Sequence, residues 1–338
     1  MKTRKKILLT GASGTVGLEV LKQLYALKGI YETTVFDVES GKSIKKFKPF
    51  KKVINIVYGN ITNENDLLKV CSDKDVVIHL AAIIPPLADE KPELSHRVNS
   101  LGTENLIKLL ELHSPNAFFI YSSSISVYGD RLDNPWILVN DELKPSEGDE
   151  YAKTKIIAED IIQKSKLDWS IFRLTAIMGG HKISKLMFHL PLESSMEIAT
   201  PADTARAFVH AIEKQEQLSK TIFNLGGGEK CRIIYRDFLS RSFEIIGLGK
   251  LDFPAKTFAE KNFHCAYYED GDALEDILKF RKDTLDTHFE NDKKKVSLLK
   301  KWIISILKKP IKKYLQSQSE PLAAYKNHDT KLMQRYFK

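Results

Sequence analysis

Cysteine is scarce and scattered, with Cys71, Cys231 and Cys265 the only three in 338 residues. An odd number at such separations builds neither a disulfide framework nor a zinc knuckle. No apolar run approaches the roughly 18 residues that a membrane span requires. Behind the basic start, only Ile7, Leu8 and Leu9 precede Thr10 and Gly11. A signal-peptide core needs about 7–15 apolar residues, so the expected location is the cytosol. Internal repeats and low-complexity tracts are also missing. His181, His189 and His210 share no metal-binding spacing, and no metal is expected. What is present is ordinary for a folded protein. Hydrophobic residues make up 43% and charged residues 28%, which excludes wholesale disorder. The length allows one large α/β unit or two domains, with a full core.

The net charge of +8 belongs to one end of the chain. Residues 291–338 carry 13 Lys and Arg against Asp292, Glu320 and Asp329, which leaves 39 basic and 41 acidic residues elsewhere. The body is nearly neutral, so nucleic-acid binding by the main fold is not expected.

Short β-branched and apolar runs recur along the first two thirds: 6–10, 33–37, 53–57, 76–80, 118–122, 170–174 and 221–225. Helical patterns lie between several of them, such as Val20, Leu21, Leu24 and Tyr25, or Leu106, Ile107, Leu109 and Leu110. Runs that do not alternate in polarity suit strands buried on both faces. Their alternation with helices predicts a Rossmann-type α/β fold, a doubly wound parallel sheet with right-handed crossovers. The pattern fades after about residue 235. The expected remainder is a smaller, mostly helical substrate-binding region.

The first run enters Thr10-Gly11-Ala12-Ser13-Gly14-Thr15-Val16-Gly17. Glycines so spaced keep the turn tight and let backbone amides and the next helix's positive end face a pyrophosphate. Asp37, at the end of the second run, is placed to accept from a ribose 2′-hydroxyl and to repel a 2′-phosphate, which favours NAD over NADP. Lys42, Lys45, Lys46 and Lys48 follow closely and moderate that preference.

Tyr151 and Lys155 lie one turn apart on one helical face. A phenol with a pKa near 10 must be stabilised as phenolate to serve as a base near neutrality, and an adjacent ammonium does this. Upstream, Ser122, Ser123 and Ser124 bring hydroxyls to the sheet's carboxyl edge, where α/β ligands bind. His79, on a strand, is expected to be packed and hydrogen-bonded. Asp203 is expected as a helix N-cap.

With these motifs, the chain resembles the extended short-chain dehydrogenase/reductases, the NAD-dependent epimerase/dehydratase family, from about Lys6 to Gly228. The resemblance also rests on Gly59-Asn60-Ile61, on Val77 to Ala82, on Asn99 before Gly102, and on Phe223 to Glu229. It implies that Tyr151 moves the substrate's hydroxyl proton and that Ser124 hydrogen-bonds the reacting oxygen. Lys155 would lower the Tyr151 pKa and bind the nicotinamide ribose, with Ser123 nearer the cofactor. Asn99 would hold the site helix and a relay water. The implied cofactor contacts are Gly11, Ser13, Gly14, Thr15, Val16, Gly17, Asp37, Asn60, Ile61, Leu80, Ala81, Ala82 and Ser122, with Tyr151 and Lys155. Asn60 stands where the family usually has Asp facing the adenine. The implied domains are an NAD-binding unit over 1–175, rejoined by 200–230, and a substrate lid from 176–199 and 231–290.

Ile125 and Ser126 follow Ser124 where the dehydratases carry Asp-Glu, so dehydration is disfavoured. The serine strand is most similar to that of sugar epimerases. Against a nucleotide sugar, Asp203 follows Arg173 by only 30 positions, and Thr175 stands where the family often has Pro or Asn. The alternatives are an alcohol/ketone dehydrogenase-reductase acting on a smaller, non-nucleotide substrate, or a non-catalytic NAD sensor. The presence of both Tyr151 and Lys155 favours an enzyme.

The basic tail over 291–338 has a segment, 293–315, with Val296, Leu299, Ile303, Ile306 and Leu307 near helical spacing and Trp302 among them. Lys300, Lys301, Lys308, Lys309, Lys312 and Lys313 charge it, and Pro310 is expected to kink it. The preferred reading is a helix packed on the fold or on a second subunit as a homodimer. Peripheral contact with an anionic membrane is the other.

Overall fold

A computed structural model describes residues 4–179 and 185–338; His181 lies outside them. Seven parallel strands form the central sheet: β1 (Lys5–Thr10), β2 (Tyr31–Asp37), β3 (Asn55–Tyr58), β4 (Val76–His79), β5 (Phe118–Ser124), β6 (Asp168–Leu174) and β7 (Thr221–Leu225). Their spatial order is β7-β6-β5-β4-β1-β2-β3. All seven apolar runs became strands. The third begins two residues later than expected because the Ile54 amide still closes the preceding turn on the Phe50 carbonyl.

Successive strand residues point to opposite faces, and both faces are buried. Ile7, Leu9, Val35, Ile78 and Phe172 enter one core, while Leu8, Phe36, Val77, Phe119 and Ile171 enter the other. Among the helices that cover the faces are α1 (Thr15–Ala26), α2 (Gly102–His113), α3 (Glu150–Lys164) and α4 (Pro201–Ala211). Leu21 and Leu24 of α1 with Phe208 of α4 close the first core. Leu106 and Leu110 of α2 with Ala158 and Ile162 of α3 close the second. Helix α4 is capped by Thr200, which accepts from the Asp203 amide. Asp203 is therefore not the N-cap; its carboxylate accepts from the Lys282 and Asp283 amides instead.

A second lobe sits over the carboxyl edge of the sheet. It contains a three-stranded sheet from Ala176–Ile177, Ser195–Ala199 and Arg232–Ile234, and helix α5 (Tyr235–Ile246). Phe188, Ile198, Phe243 and Phe289 are among the residues of its own core. Trp136–Ile137 pairs with Tyr267–Tyr268 and ties the segment after β5 to this lobe.

The basic tail forms α6 (Leu298–Ile306) and α7 (Lys308–Ser317), then folds back on the second lobe, with Leu315 in that lobe's core and Leu322 and Tyr336 buried. The helix breaks at Leu307, three residues before Pro310. Pro310 lies in the first turn of α7, where its missing N–H breaks no helical bond. Helix α6 buries none of its residues. The expectation that its apolar side packs on the fold fails there, since only Ile304 leans on the second lobe's core. Among the described residues, no helix is long and apolar enough to cross a membrane.

Candidate active site

In this strand order, β1 lies between β4 and β2, so the chain crosses over at the carboxyl ends of β1 and β4, where a crevice opens. The glycine loop fills its floor. Gly11 has φ +72, and a Cβ there would stand 2.6 Å from the Ala81 amide nitrogen. A Cβ on Gly17 would stand 2.2 Å from the Gly11 carbonyl. Only glycine lets the loop, α1 and the Leu80-Ala81-Ala82 segment approach so closely. Gly14 caps α1 without a side-chain bond, and Gly14 and Thr15 are exposed. The amides of the first turn, through Val16, are therefore free for an anion. His79 supports this floor. Its buried ring lies 2.6 Å from the Thr10 hydroxyl and 2.9 Å from that of Thr103. Burial, with Lys155 nearby, pulls His79 down to about 3, so it is neutral.

Asp37 ends β2 and is buried. It accepts from the Ser13 amide at 2.7 Å, the Ser13 hydroxyl at 3.1 Å and the Val38 amide at 2.8 Å. Burial raises its pKa and these bonds oppose the rise. Lys46 donates to the Ser13 carbonyl at 2.6 Å, so this lysine clamps the loop. Asn60 folds its carbonyl onto the Thr62 amide and hydroxyl at 3.0 and 2.9 Å. Its acceptor is thus engaged within its own turn, while Ile61 beside it packs into the second core.

Tyr151 and Lys155 occupy the first turns of α3, which Asp149 caps by accepting from the Ala152 amide at 2.8 Å. Lys155 is buried, with Nζ 2.7 Å from the Ser122 carbonyl, 3.2 Å from the Tyr121 hydroxyl and 5.5 Å from the Tyr151 ring centre. Burial pulls it down to about 7 against the opposing pull of Glu159. Burial also pushes the Tyr151 phenol well up, with the Asp149 carboxylate adding to the rise and a hydrogen bond with Ser124 opposing it. Burial thus sets the sign of the Tyr151 shift, and Lys155 is not among the groups that offset it.

Asn99 sits in a π turn, Arg97–Leu101, that leads into α2. Such turns push a residue out of register and recur at functional sites. The buried Asn99 amide accepts from the Ile83 amide at 2.7 Å and donates to the Ile83 carbonyl, the Ser95 hydroxyl and the Thr154 hydroxyl at 2.9, 3.1 and 3.0 Å. It fastens the β4 loop to α3, so it positions the site while its polar atoms are spent on protein.

Sequence reasoning missed a buried charge network behind the serines. Glu159 of α3 accepts from the Ser123 hydroxyl and pairs with Arg173 of β6 at 2.7 Å. Arg173 also donates to the Tyr128 hydroxyl at 2.7 Å, and Tyr128 donates to Asn224 at 2.8 Å. Burial works against the Arg173 charge, but Glu159 outweighs it and holds the guanidinium above its usual value. Ser123 is thus committed to Glu159, while Ser124 turns outward.

Ser124 opens into a cavity of about 570 Å³ between the sheet edge and the second lobe. Its wall is largely apolar, with Ile177, Met178, Met187, Met196, Phe238 and Ile245 among its members. Among the described residues no arginine lines it; Lys295 and Lys300, both exposed, sit at its rim. His264 also lines it, with Nδ1 2.9 Å from Asp149, an arrangement that no local motif announces. Among the described residues, no group of acidic, His or Cys side chains could hold a metal.

A doubly wound nucleotide-binding sheet with Ser124, Tyr151 and Lys155 at its carboxyl edge defines a class of protein. The model of the 3-beta hydroxysteroid dehydrogenase/isomerase family matches residues 8–171. The D-erythronate dehydrogenase of Haemophilus influenzae is 26% identical over 175 residues, 51% of this chain and 55% of that protein. The 3 beta-hydroxysteroid dehydrogenase type 7 of Mus musculus is 23% identical over 219 residues, 60% of this chain and 59% of that protein. The chain thus spans little more than half the length of these curated relatives. A UDP-glucuronic acid 4-epimerase of Bacillus cereus shares the fold, with a TM-score of 0.70 at 19% identity, covering 86% of this chain and 98% of that one. The family model thus covers just under half of the chain, and over that part the chain is similar to the extended short-chain dehydrogenase/reductases.

Proposed function

We propose that the chain is an NAD-dependent dehydrogenase that oxidises a secondary hydroxyl on an apolar, alicyclic substrate, or reduces the matching ketone. The observation that carries this reading is the apolar 570 Å³ cavity with Ser124 in its wall. That volume suits a compact multi-ring molecule. Among the described residues the wall carries no arginine fork of the kind that holds a diphosphate bidentately. The match to the 3-beta hydroxysteroid dehydrogenase/isomerase model points the same way.

The residues present fit NAD. The Gly11–Gly17 cradle and the free amides of α1 suit its pyrophosphate, and Asp37 suits an unphosphorylated ribose. Bound NAD supplies the hydride acceptor. Ser124 donates to the substrate oxygen, and Tyr151 exchanges the hydroxyl proton with it. Lys155, held near neutrality in pKa by burial, keeps a polar contact at the Ser122 carbonyl and orders the end of β5 beneath the site. Asn99 and the Glu159–Arg173 pair hold α3 and the serine strand in register.

A second reading, nucleotide-sugar epimerisation, rests on the serine-ended β5 and the likeness to the epimerase fold. The Tyr151→Phe protein tests catalysis itself. It should bind NAD within about threefold of the unaltered chain yet lose about a thousandfold in turnover. Unchanged turnover in that variant contradicts the assignment, and an unaltered chain that binds NAD without turning over any alcohol speaks for a sensor.

A further inference from the structure

Helix α6 wears its apolar side outward. Leu298 is 87% exposed, Leu299 66%, Trp302 63% and Ile306 59%. With Ile303 these fall in an arc of about 140° at 100° per residue, and Ile304, which touches the second lobe's core, lies opposite. Leu307 and Tyr314 extend the exposed surface. Single exposed leucines are ordinary, but a contiguous apolar patch marks a contact surface.

The charge around the patch has one sign. Lys300, Lys301, Lys308, Lys309 and Lys313 are exposed and make no ion pair among the described residues. Lys295 and Lys312 are paired, with Asp292 and Asp252. Apolar side chains with Trp, flanked by unpaired lysines, are the composition of a helix that lies in the headgroup plane. Lys295, Val296 and Lys300, on and beside the start of α6, also line the large cavity.

We propose that α6 and the start of α7 dock peripherally on an anionic lipid surface, apolar face down, so that the rim of the active-site cavity stands at the headgroup level. A second copy of the chain fits less well. Pairing this face with itself opposes two lysine clusters. A helix of this length is about 14 Å long and about 10 Å wide, well short of the roughly 800 Å² per partner in a standard interface. The docking stands apart from the reading of the active site. Only the further step, delivery of an apolar substrate from the bilayer to the cavity, rests on it.

The test is flotation of the full-length chain with phosphatidylcholine vesicles, with and without phosphatidylserine, followed by Trp302 emission. The expected result is binding to the anionic vesicles only, a blue shift on binding, and at least a tenfold loss on raising salt. Leu299→Asp with Ile306→Asp should weaken partitioning about a hundredfold. Lys301→Glu with Lys309→Glu should weaken it at least about tenfold. These positions are exposed, so melting and NAD affinity should not change, and either variant serves if the other folds poorly. No flotation of the intact chain, or equal flotation of the variants, overturns the proposal. So does a concentration-dependent dimer that the Asp variant abolishes while vesicles leave the chain unbound. Cofactor titration on the same proteins keeps a failed active-site reading separate from a failed docking face.

Discussion

The sheet body and the second lobe present different surfaces to the crevice between them. At the carboxyl edge of the body, buried polar groups meet partners: Asp37 takes three donors, Asn99 bridges two elements, and Glu159 meets Arg173 and Ser123. The lobe instead leaves a large cavity walled by methionine, isoleucine and phenylalanine. A satisfied polar network is rigid and holds reacting groups at fixed separations. Flexible, unbranched Met side chains adapt to an apolar guest. The contrast supports the proposed division of labour, with chemistry held in the body and the choice of substrate left to the lobe.

The largest effect expected from breaking the body's side of that comparison is on stability. Arg173→Met leaves Glu159 buried without its cation, which costs about 3–5 kcal/mol. The melting temperature should fall by on the order of 10 °C, readable by calorimetry. A shift near zero would mean that the pair contributes no rigidity. A smaller effect is expected at the cofactor end. The unaltered chain should bind NAD at least about tenfold tighter than NADP, about 1.4 kcal/mol. Asp37→Ala should erase most of that ratio in fluorescence titrations of the two cofactors. Equal affinities before substitution would remove Asp37 from the selection.

A third effect concerns pH. Burial pulls Lys155 down to about 7 from an unfolded value near 10.4. Between these values the unfolded chain binds the extra proton, so this residue's contribution to stability rises with pH and is lost as pH falls toward 7. Lys155→Met should flatten the rise between about pH 7 and 10, seen by urea unfolding at several pH values. An identical slope in both proteins would mean that Lys155 is not titrating in that window.

Much of the body was legible in the sequence because its signals are local. Val76 to His79 reads as buried on both faces, and Gly11, Gly14 and Gly17 mark the loop without reference to anything distant. Tyr151 and Lys155 announce a shared face by spacing alone. The missed parts depend on groups far apart in the chain. Glu159 and Arg173 stand 14 residues apart and meet only when α3 is laid against β6. His264 finds Asp149 only once the lobe closes over the sheet. The sign of the Tyr151 shift also escaped, because burial, which spacing does not encode, outweighs its neighbours. In the tail the lysines and leucines were plain, but which way α6 faces was decided by the single anchor Ile304.

The central claim is that the lobe selects an apolar alcohol for the body's chemistry. The most direct measurement is NAD reduction by the unaltered chain with two matched panels, fused-ring secondary alcohols and nucleotide sugars. Its companion is conversion of each nucleotide sugar to its epimer, followed by proton NMR. NAD reduction should run at a kcat/KM at least about a hundredfold higher for the fused-ring alcohols, with no epimer formed from the sugars. Faster turnover of a nucleotide sugar, or formation of its epimer, would contradict it.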